Sequence, residues 1–304
     1  MHPTVSHFTN KFQPILACCN CCILLVQCSS GNDWDLLCLS EFYIDEQTQT
    51  LYFFPPVPLT QWTEGGGPFI TQQMSAIDMS GTSHITLRGL GIYHSRGNGL
   101  LAYDVTGVRV EDCEISGHGQ HGLIMNGTDS GVHRSSVFSV GCSGVRVAGG
   151  VARTLKAGKM FATSNHISNF SLVKRTYVPG IFWQGIGNDY SFNTITNGPH
   201  NCILGGGNEN WPWGQFLDTN EMGSGSQCIF EGNTLDTCAY ECGSDCGAFY
   251  TCGQGGQAWV NRGNILRNAT FRNIGAHAVY LDDMMSGWTI EDSVIDGEKG
   301  MSLY

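Results

Sequence analysis

One pattern recurs along most of the chain and leaves few folds open to it: an apolar residue, a polar gap, a small or Asn position, then a second apolar pair. It is seen in Ile85-Thr86-Leu87-Arg88-Gly89-Leu90, in Val108-Arg109-Val110-Glu111-Asp112-Cys113-Glu114-Ile115 and in Val132-His133-Arg134-Ser135-Ser136-Val137. It returns in Ser191-Phe192-Asn193-Thr194-Ile195, Cys228-Ile229-Phe230-Glu231-Gly232-Asn233-Thr234-Leu235 and Trp288-Thr289-Ile290-Glu291-Asp292-Ser293-Val294-Ile295. A second short strand follows each copy, as in Gly122-Leu123-Ile124-Met125, Gly144-Val145-Arg146-Val147 and Ala278-Val279-Tyr280-Leu281. Where no insert intervenes the interval is about 20 to 25 residues, the length of one coil of short strands joined by turns. Within a strand one side chain points in and the next out. A lone coil cannot bury its apolar face, so coils must stack at ~4.8 Å, which completes both the core and the hydrogen-bond ladder. Gly and Asn at the corners are expected to supply left-handed or tightly turned backbone. A propeller blade would need about 40 to 45 residues and four longer strands. The expected fold is therefore all-β, a single-stranded right-handed parallel β-helix.

Composition agrees with such a solenoid. Only 13% of residues are charged and 41 of 304 are Gly, which suits many tight turns around an apolar interior and not an amphipathic helical protein. The net charge is −11 with only 15 Lys plus Arg, which argues against nucleic acid as a partner. Ile15 to Val26 is a 12-residue, mostly apolar run, too short to span a membrane and compatible with a signal-peptide core or a non-native leader. The organisation expected is a leader over 1–30, an extension with a β-hairpin over 31–80 and the β-helix over 81–304. The hairpin is Phe42-Tyr43-Ile44-Asp45 and Thr50-Leu51-Tyr52-Phe53-Phe54 around a polar Glu46-Gln47-Thr48-Gln49 turn. Two stretches break the period, 149–164 and 208–226, and are expected to be loop inserts.

Fourteen cysteines need a reason, four of them at Cys238, Cys242, Cys246 and Cys252. Their C-x3-C-x3-C-x5-C spacing lacks the paired C-x2-C knuckles of structural zinc sites, so one or two disulfides in a secreted, extracellular protein are expected, with no metal. Asn126, Asn169 and Asn268 each begin an N-x-S/T triplet that permits glycosylation.

Four segments carry a family likeness. They are Glu41-Phe42-Tyr43-Ile44-Asp45 with Thr50-Leu51-Tyr52-Phe53-Phe54-Pro55-Pro56, Asn197-Gly198-Pro199-His200-Asn201-Cys202-Ile203-Leu204, Ser244-Asp245-Cys246-Gly247-Ala248-Phe249-Tyr250, and Tyr280-Leu281-Asp282-Asp283-Met284-Met285-Ser286-Gly287-Trp288-Thr289. In that order they resemble the family 141 glycoside hydrolases and their relatives, large right-handed β-helix proteins linked to fucoside and xylan hydrolysis. Members of that family usually carry further coils on both sides, so the chain resembles a shortened version of them. The resemblance implies a carbohydrate-active protein that acts on a polysaccharide or oligosaccharide as a monomer, without a cofactor.

Glycoside hydrolysis needs two carboxyls flanking the scissile bond, one as acid and one as nucleophile or base. Inward Val279 and Leu281 place Tyr280 and Asp282 on the outer face, with Asp283 starting the turn. The same alignment stacks Phe249 on Val279 and Tyr250 on Tyr280. Asp245, in the loop before that strand, must fold back to approach Asp282, and the Cys-rich segment is placed to hold it there. Asp245 with Asp282 or Asp283 is therefore the expected catalytic pair, although a doubled Asp also suits a turn. The expected substrate-binding set is His200, Glu209, Trp211, Trp213, Tyr250 and Tyr280, the two tryptophans offering flat apolar faces for sugar rings. A non-catalytic glycan-binding or structural solenoid is the alternative. A polysaccharide lyase is a second alternative, disfavoured because the chain has few Lys and Arg to neutralise a uronate.

Overall fold

The computed structural model describes residues 6–9, 42–45, 47–48, 50–53, 71–151, 154–206, 225–242, 245–252, 263–282 and 285–296. Almost every regular element in it is a short strand paired in parallel with the coil above and the coil below. Among the described residues eight coils follow one another, each contributing to up to three sheets. The first sheet contains Ser75–Asp78, Asn98–Thr106, Leu123–Thr128, Val145–Val151, Ile181–Gly185, Ile203–Gly205, Gly247–Cys252 and His277–Asp282. The third runs from Gly91–Ser95 to Val294–Asp296. The second is divided into Thr86–Arg88 through Phe161–Thr163 and Ile229–Glu231 through Trp288–Glu291, with Asp189 bridging to Phe161 on one side and Ile229 on the other.

Register explains why the sequence repeats as it does. Along the inner face of the first sheet Leu123, Val145, Ile181, Ile203, Phe249 and Val279 lie one above another, all buried. Ile115, Val137, Ile167, Ile195, Leu235 and Phe271 form the matching column of the third sheet. Branched and aromatic side chains stacked in register fill the interior, because each coil offers the next a surface of the same shape. Toward the C-terminal coils the interior becomes aromatic: the Phe230 ring stands edge-on to Trp183 at 4.9 Å and to Phe249 at 5.0 Å and stacks on Tyr190 at 5.1 Å. The first sheet also has a covered outer face. Ile124, Phe182, Leu204 and Tyr250 are buried there, and the Arg146 guanidinium lies 4.4 Å over the Phe182 ring. Burial holds Arg146 down to about 10, well below the usual guanidinium range.

The hairpin forms where the sequence places it, Phe42–Asp45 against Thr50–Phe53, with the Asp45 carboxylate accepting from the backbone of Gln47 and Thr48 inside the turn. Ser6–Thr9 adds a third antiparallel strand to it. The insert expected over 149–164 is smaller than that: Val145–Val151 continues out of the sheet and pairs antiparallel with Lys156–Ala157, after which Phe161–Thr163 is an ordinary coil strand. The second insert lies mostly outside the described residues.

Candidate functional site

The site is built where two unusually long turns lean over the outer face of the first sheet. After His118 and after Val140 the chain passes from the third sheet to the first in four residues, 119–122 and 141–144. After Ser168 it takes twelve, 169–180, and after Cys238 eight, 239–246. The two long turns are tied together at the surface by Arg175, whose guanidinium donates to both carboxylate oxygens of Glu241 and to the Ser171 carbonyl at 3.1 Å. An exposed pair of this kind contributes little stability, but its forked geometry orients both turns.

Two disulfides fix the second long turn. Cys202–Cys238 lies inside the solenoid with both residues fully buried, and Cys242–Cys246, four positions apart in sequence, ties the partly buried Cys242 to the fully buried Cys246 at the edge of the core. Asp245 sits between those last two cysteines. Its carboxylate accepts a 2.5 Å hydrogen bond from the Tyr177 hydroxyl, which comes from the first long turn, and a 3.4 Å one from Tyr250. The same single Tyr250 proton is directed chiefly at Asp282, whose carboxylate accepts it at 2.6 Å, so the bond to Asp245 is the weaker branch. One phenol thus spans the carboxylates of Asp245 and Asp282, so their bonded oxygens are no farther apart than those two bonds end to end, about 6 Å.

The strand pattern accounts for this meeting. Phe249 and Val279 face inward in register, so Tyr250 and Tyr280 face outward in register, their rings edge to face at 5.0 Å. Cys252 pairs with Asp282 at the next outward position. Tyr250 is 2% exposed; burial first, and the bond to Asp282 second, push its phenol far above the usual tyrosine range. Tyr177 is raised by burial and then by Asp245. Both hydroxyls therefore remain protonated donors aimed at carboxylates.

His200 reaches the same place from below. It is buried, with its ring 4.7 Å from that of Tyr177, Nδ1 2.5 Å from the Asn201 Oδ1 and Nε2 3.7 Å from the Cys242 Sγ. Burial lowers its pKa, against smaller upward effects of Asn201 and the Asp245 charge. Of the residues singled out in the sequence, the fold brings Asp245, Asp282, Tyr250, Tyr280 and His200 together. Asp283, Glu209, Trp211 and Trp213 lie outside the described residues. Tyr177 and Arg175 were not anticipated; the signal that marks them is the overlong gap before Ile181, which breaks the period.

Asn126 is buried and accepts the Asp104 amide, whereas the other two glycosylation-type asparagines, Asn169 and Asn268, are exposed. Among the described residues no helix is long and apolar enough to cross a membrane. The two disulfides are compatible with an extracellular location.

No curated protein matches the sequence. Residues 69–169, 101 of the 304, match the family model described as right handed beta helix region. With the parallel sheets that run through that stretch and continue beyond it to Asp296, the solenoid is a right-handed parallel β-helix, the architecture of carbohydrate-active and structural β-helix proteins.

Proposed function

We propose that the protein is a glycoside hydrolase that cleaves a neutral polysaccharide with Asp245 and Asp282 as its two working carboxylates. The observation that carries this reading is the Tyr250 hydroxyl shared between them. Two acids on different coils, one delivered by a disulfide-closed loop and one by a strand, converge over one phenol. An oxygen separation of at most about 6 Å suits the short, retaining geometry better than the ~6.5–9.5 Å that leaves room for a water. Asp282 is partly buried on the sheet and bonded to Tyr250, and Asp245 is exposed on the loop; the acid and nucleophile roles are divided between these two. Tyr177 and Tyr250 hold the carboxylates from the side and from below, leaving the outward side for the sugar, and Tyr280 borders the same surface.

The resemblance of the Asp245 and Asp282 segments to family 141 glycoside hydrolases supports the reading. The lyase alternative fares worse, since a phenol pushed up by burial and by a carboxylate is a poor base, and Arg175 is already engaged by Glu241.

The test is release of reducing ends from a panel of neutral plant and algal polysaccharides by the full chain, with Asp245→Asn and Asp282→Asn alongside. Each variant is expected to lose about 10²–10⁴-fold in kcat while keeping the β-sheet circular dichroism spectrum. Wild-type turnover in either variant removes that residue from the mechanism. A folded chain that retains polysaccharide on an affinity gel and cleaves none of it is instead a binding module.

A further inference from the structure

We infer that His200, Cys242 and Cys246 form a binding site for a soft divalent cation, Zn²⁺ above all, whenever the Cys242–Cys246 disulfide is reduced. The nitrogen and the two sulfurs already lie within 4.8 Å of one another. A Zn²⁺ shared between an imidazole at ~2.05 Å and a thiolate at ~2.3 Å in tetrahedral array sets that nitrogen and sulfur about 3.6 Å apart. The His200 Nε2 and the Cys242 Sγ are 3.7 Å apart as they stand.

The imidazole is also presented in the tautomer a metal requires. The Asn201 amide nitrogen donates to the Gly247 carbonyl at 2.9 Å, which turns its Oδ1 toward His200. An acceptor at 2.5 Å from Nδ1 fixes the proton there and leaves the Nε2 lone pair facing Cys242. A ligating histidine held by a carbonyl on its other nitrogen is the usual outer support of a metal site.

One nitrogen and two thiolates form a soft set that selects Zn²⁺ over Mg²⁺ or Ca²⁺. Three protein ligands leave the fourth position to a water beside the Asp245 loop. The chemistry balances simply. A small dithiol gives two electrons and two protons to the Cys242–Cys246 bond and leaves as its own disulfide; the two thiols then release their protons to solvent as the metal binds. In the oxidised protein both sulfurs are bonded to each other and the site does not exist. This inference goes beyond the hydrolase reading and stands without it.

The test uses the full chain reduced with a phosphine under nitrogen, freed of excess reductant and titrated with Zn²⁺, with bound metal counted by elemental analysis. Co²⁺ in place of Zn²⁺ reports thiolate ligation through its charge-transfer absorption. Reduced wild type is expected to hold one Zn²⁺ more than C242S/C246S, and the unreduced protein to lack that equivalent. His200→Gln is expected to weaken the site about tenfold or more. Equal stoichiometry in wild type and C242S/C246S assigns any zinc to the chain's other thiols and overturns the proposal. So does a reduced chain that keeps its β-sheet spectrum yet shows no thiolate–cobalt band. A reduced chain that loses the β-sheet spectrum and does not regain it on adding Zn²⁺ counts against it equally, since the site depends on the surrounding coils.

Discussion

A left-handed residue stands at the corner between the second and third sheets in every coil: Gly89, Asp112, Arg134, Ser164, Phe192, Gly232, Asn268 and Asp292. The sequence points to Gly and Asn at the corners, and three of these eight fit. The buried asparagines of the repeat, Asn165, Asn193 and Asn233, come one residue later and do not adopt that conformation. Phe192 is the costly member of the column. Its φ is +60°, where a Cβ is crowded by its own backbone, and its side chain is 56% exposed, so little burial offsets the strain. Phe192→Asn is therefore expected to stabilise the protein by about 1 kcal/mol, seen as a raised melting temperature. Phe192→Ala lacks the short polar side chain that lets Asn hydrogen-bond locally in this conformation and should not show the gain; an equal rise in both variants would mean that the ring, not the backbone, was the source of strain.

At the scale of elements, the asparagines that the repeat marks are a ladder. Asn193 receives the backbone amide of Asn165, donates to the Ala162 carbonyl at 2.8 Å and bonds the Asn233 amide side chain, while its own backbone amide donates to Asn233. Ser135 and Ser293 hold the same position in other coils and accept from Cys113 and Ala269. Each side chain thus satisfies a backbone amide of the preceding coil that turns away from the sheet ladder at the corner. Asn193→Ala strands several buried groups at once and is expected to cost about 2–4 kcal/mol in chemical denaturation, with the β-sheet spectrum unchanged. A loss below about 1 kcal/mol would show that water replaces the amide there. Among the turns, length rather than composition separates the scaffold from the site: the short ones only close coils, and the two long ones bring Tyr177 and Asp245 over the sheet.

For the whole molecule, coils that lean only on their neighbours make stability depend on what each layer buries. His118 is sealed in such a layer, its Nε2 donating to the Ile92 carbonyl at 3.0 Å and its Nδ1 accepting the Ser95 amide at 3.2 Å. Burial, with a smaller contribution from His94, pushes it down to about 4, and His121 is lowered in the same way. A folded pKa below the unfolded value of about 6.5 means that the unfolded chain binds the proton first as pH falls. The stability His118 contributes is thus complete above about pH 6.5 and is lost on acidification toward pH 4, by up to about 3 kcal/mol. Urea unfolding at pH 7, 5.5 and 4.5 should show the decline, and His118→Gln should flatten it; an unchanged slope would assign the effect to the other buried histidines.

The sequence by itself determined the coil, because in-and-out alternation and a period near 20 to 25 residues are local properties repeated often enough to exclude other stacks. It also placed the hairpin, the inward Val279, the outward Tyr280 and Asp282, and the presence of disulfides near Asp245. Only the tertiary structure decided that Cys238 pairs with the distant Cys202 instead of a neighbour, because their separation of 36 residues along the chain becomes 5.8 Å between Cα atoms once two coils stack. The same holds for Tyr177, 68 residues from Asp245 and joined to it by a hydrogen bond. Turns that depart from the repeat carry no periodic signal of direction. Where they lean is set by contacts such as Arg175 with Glu241, which exist only after the coils are in register.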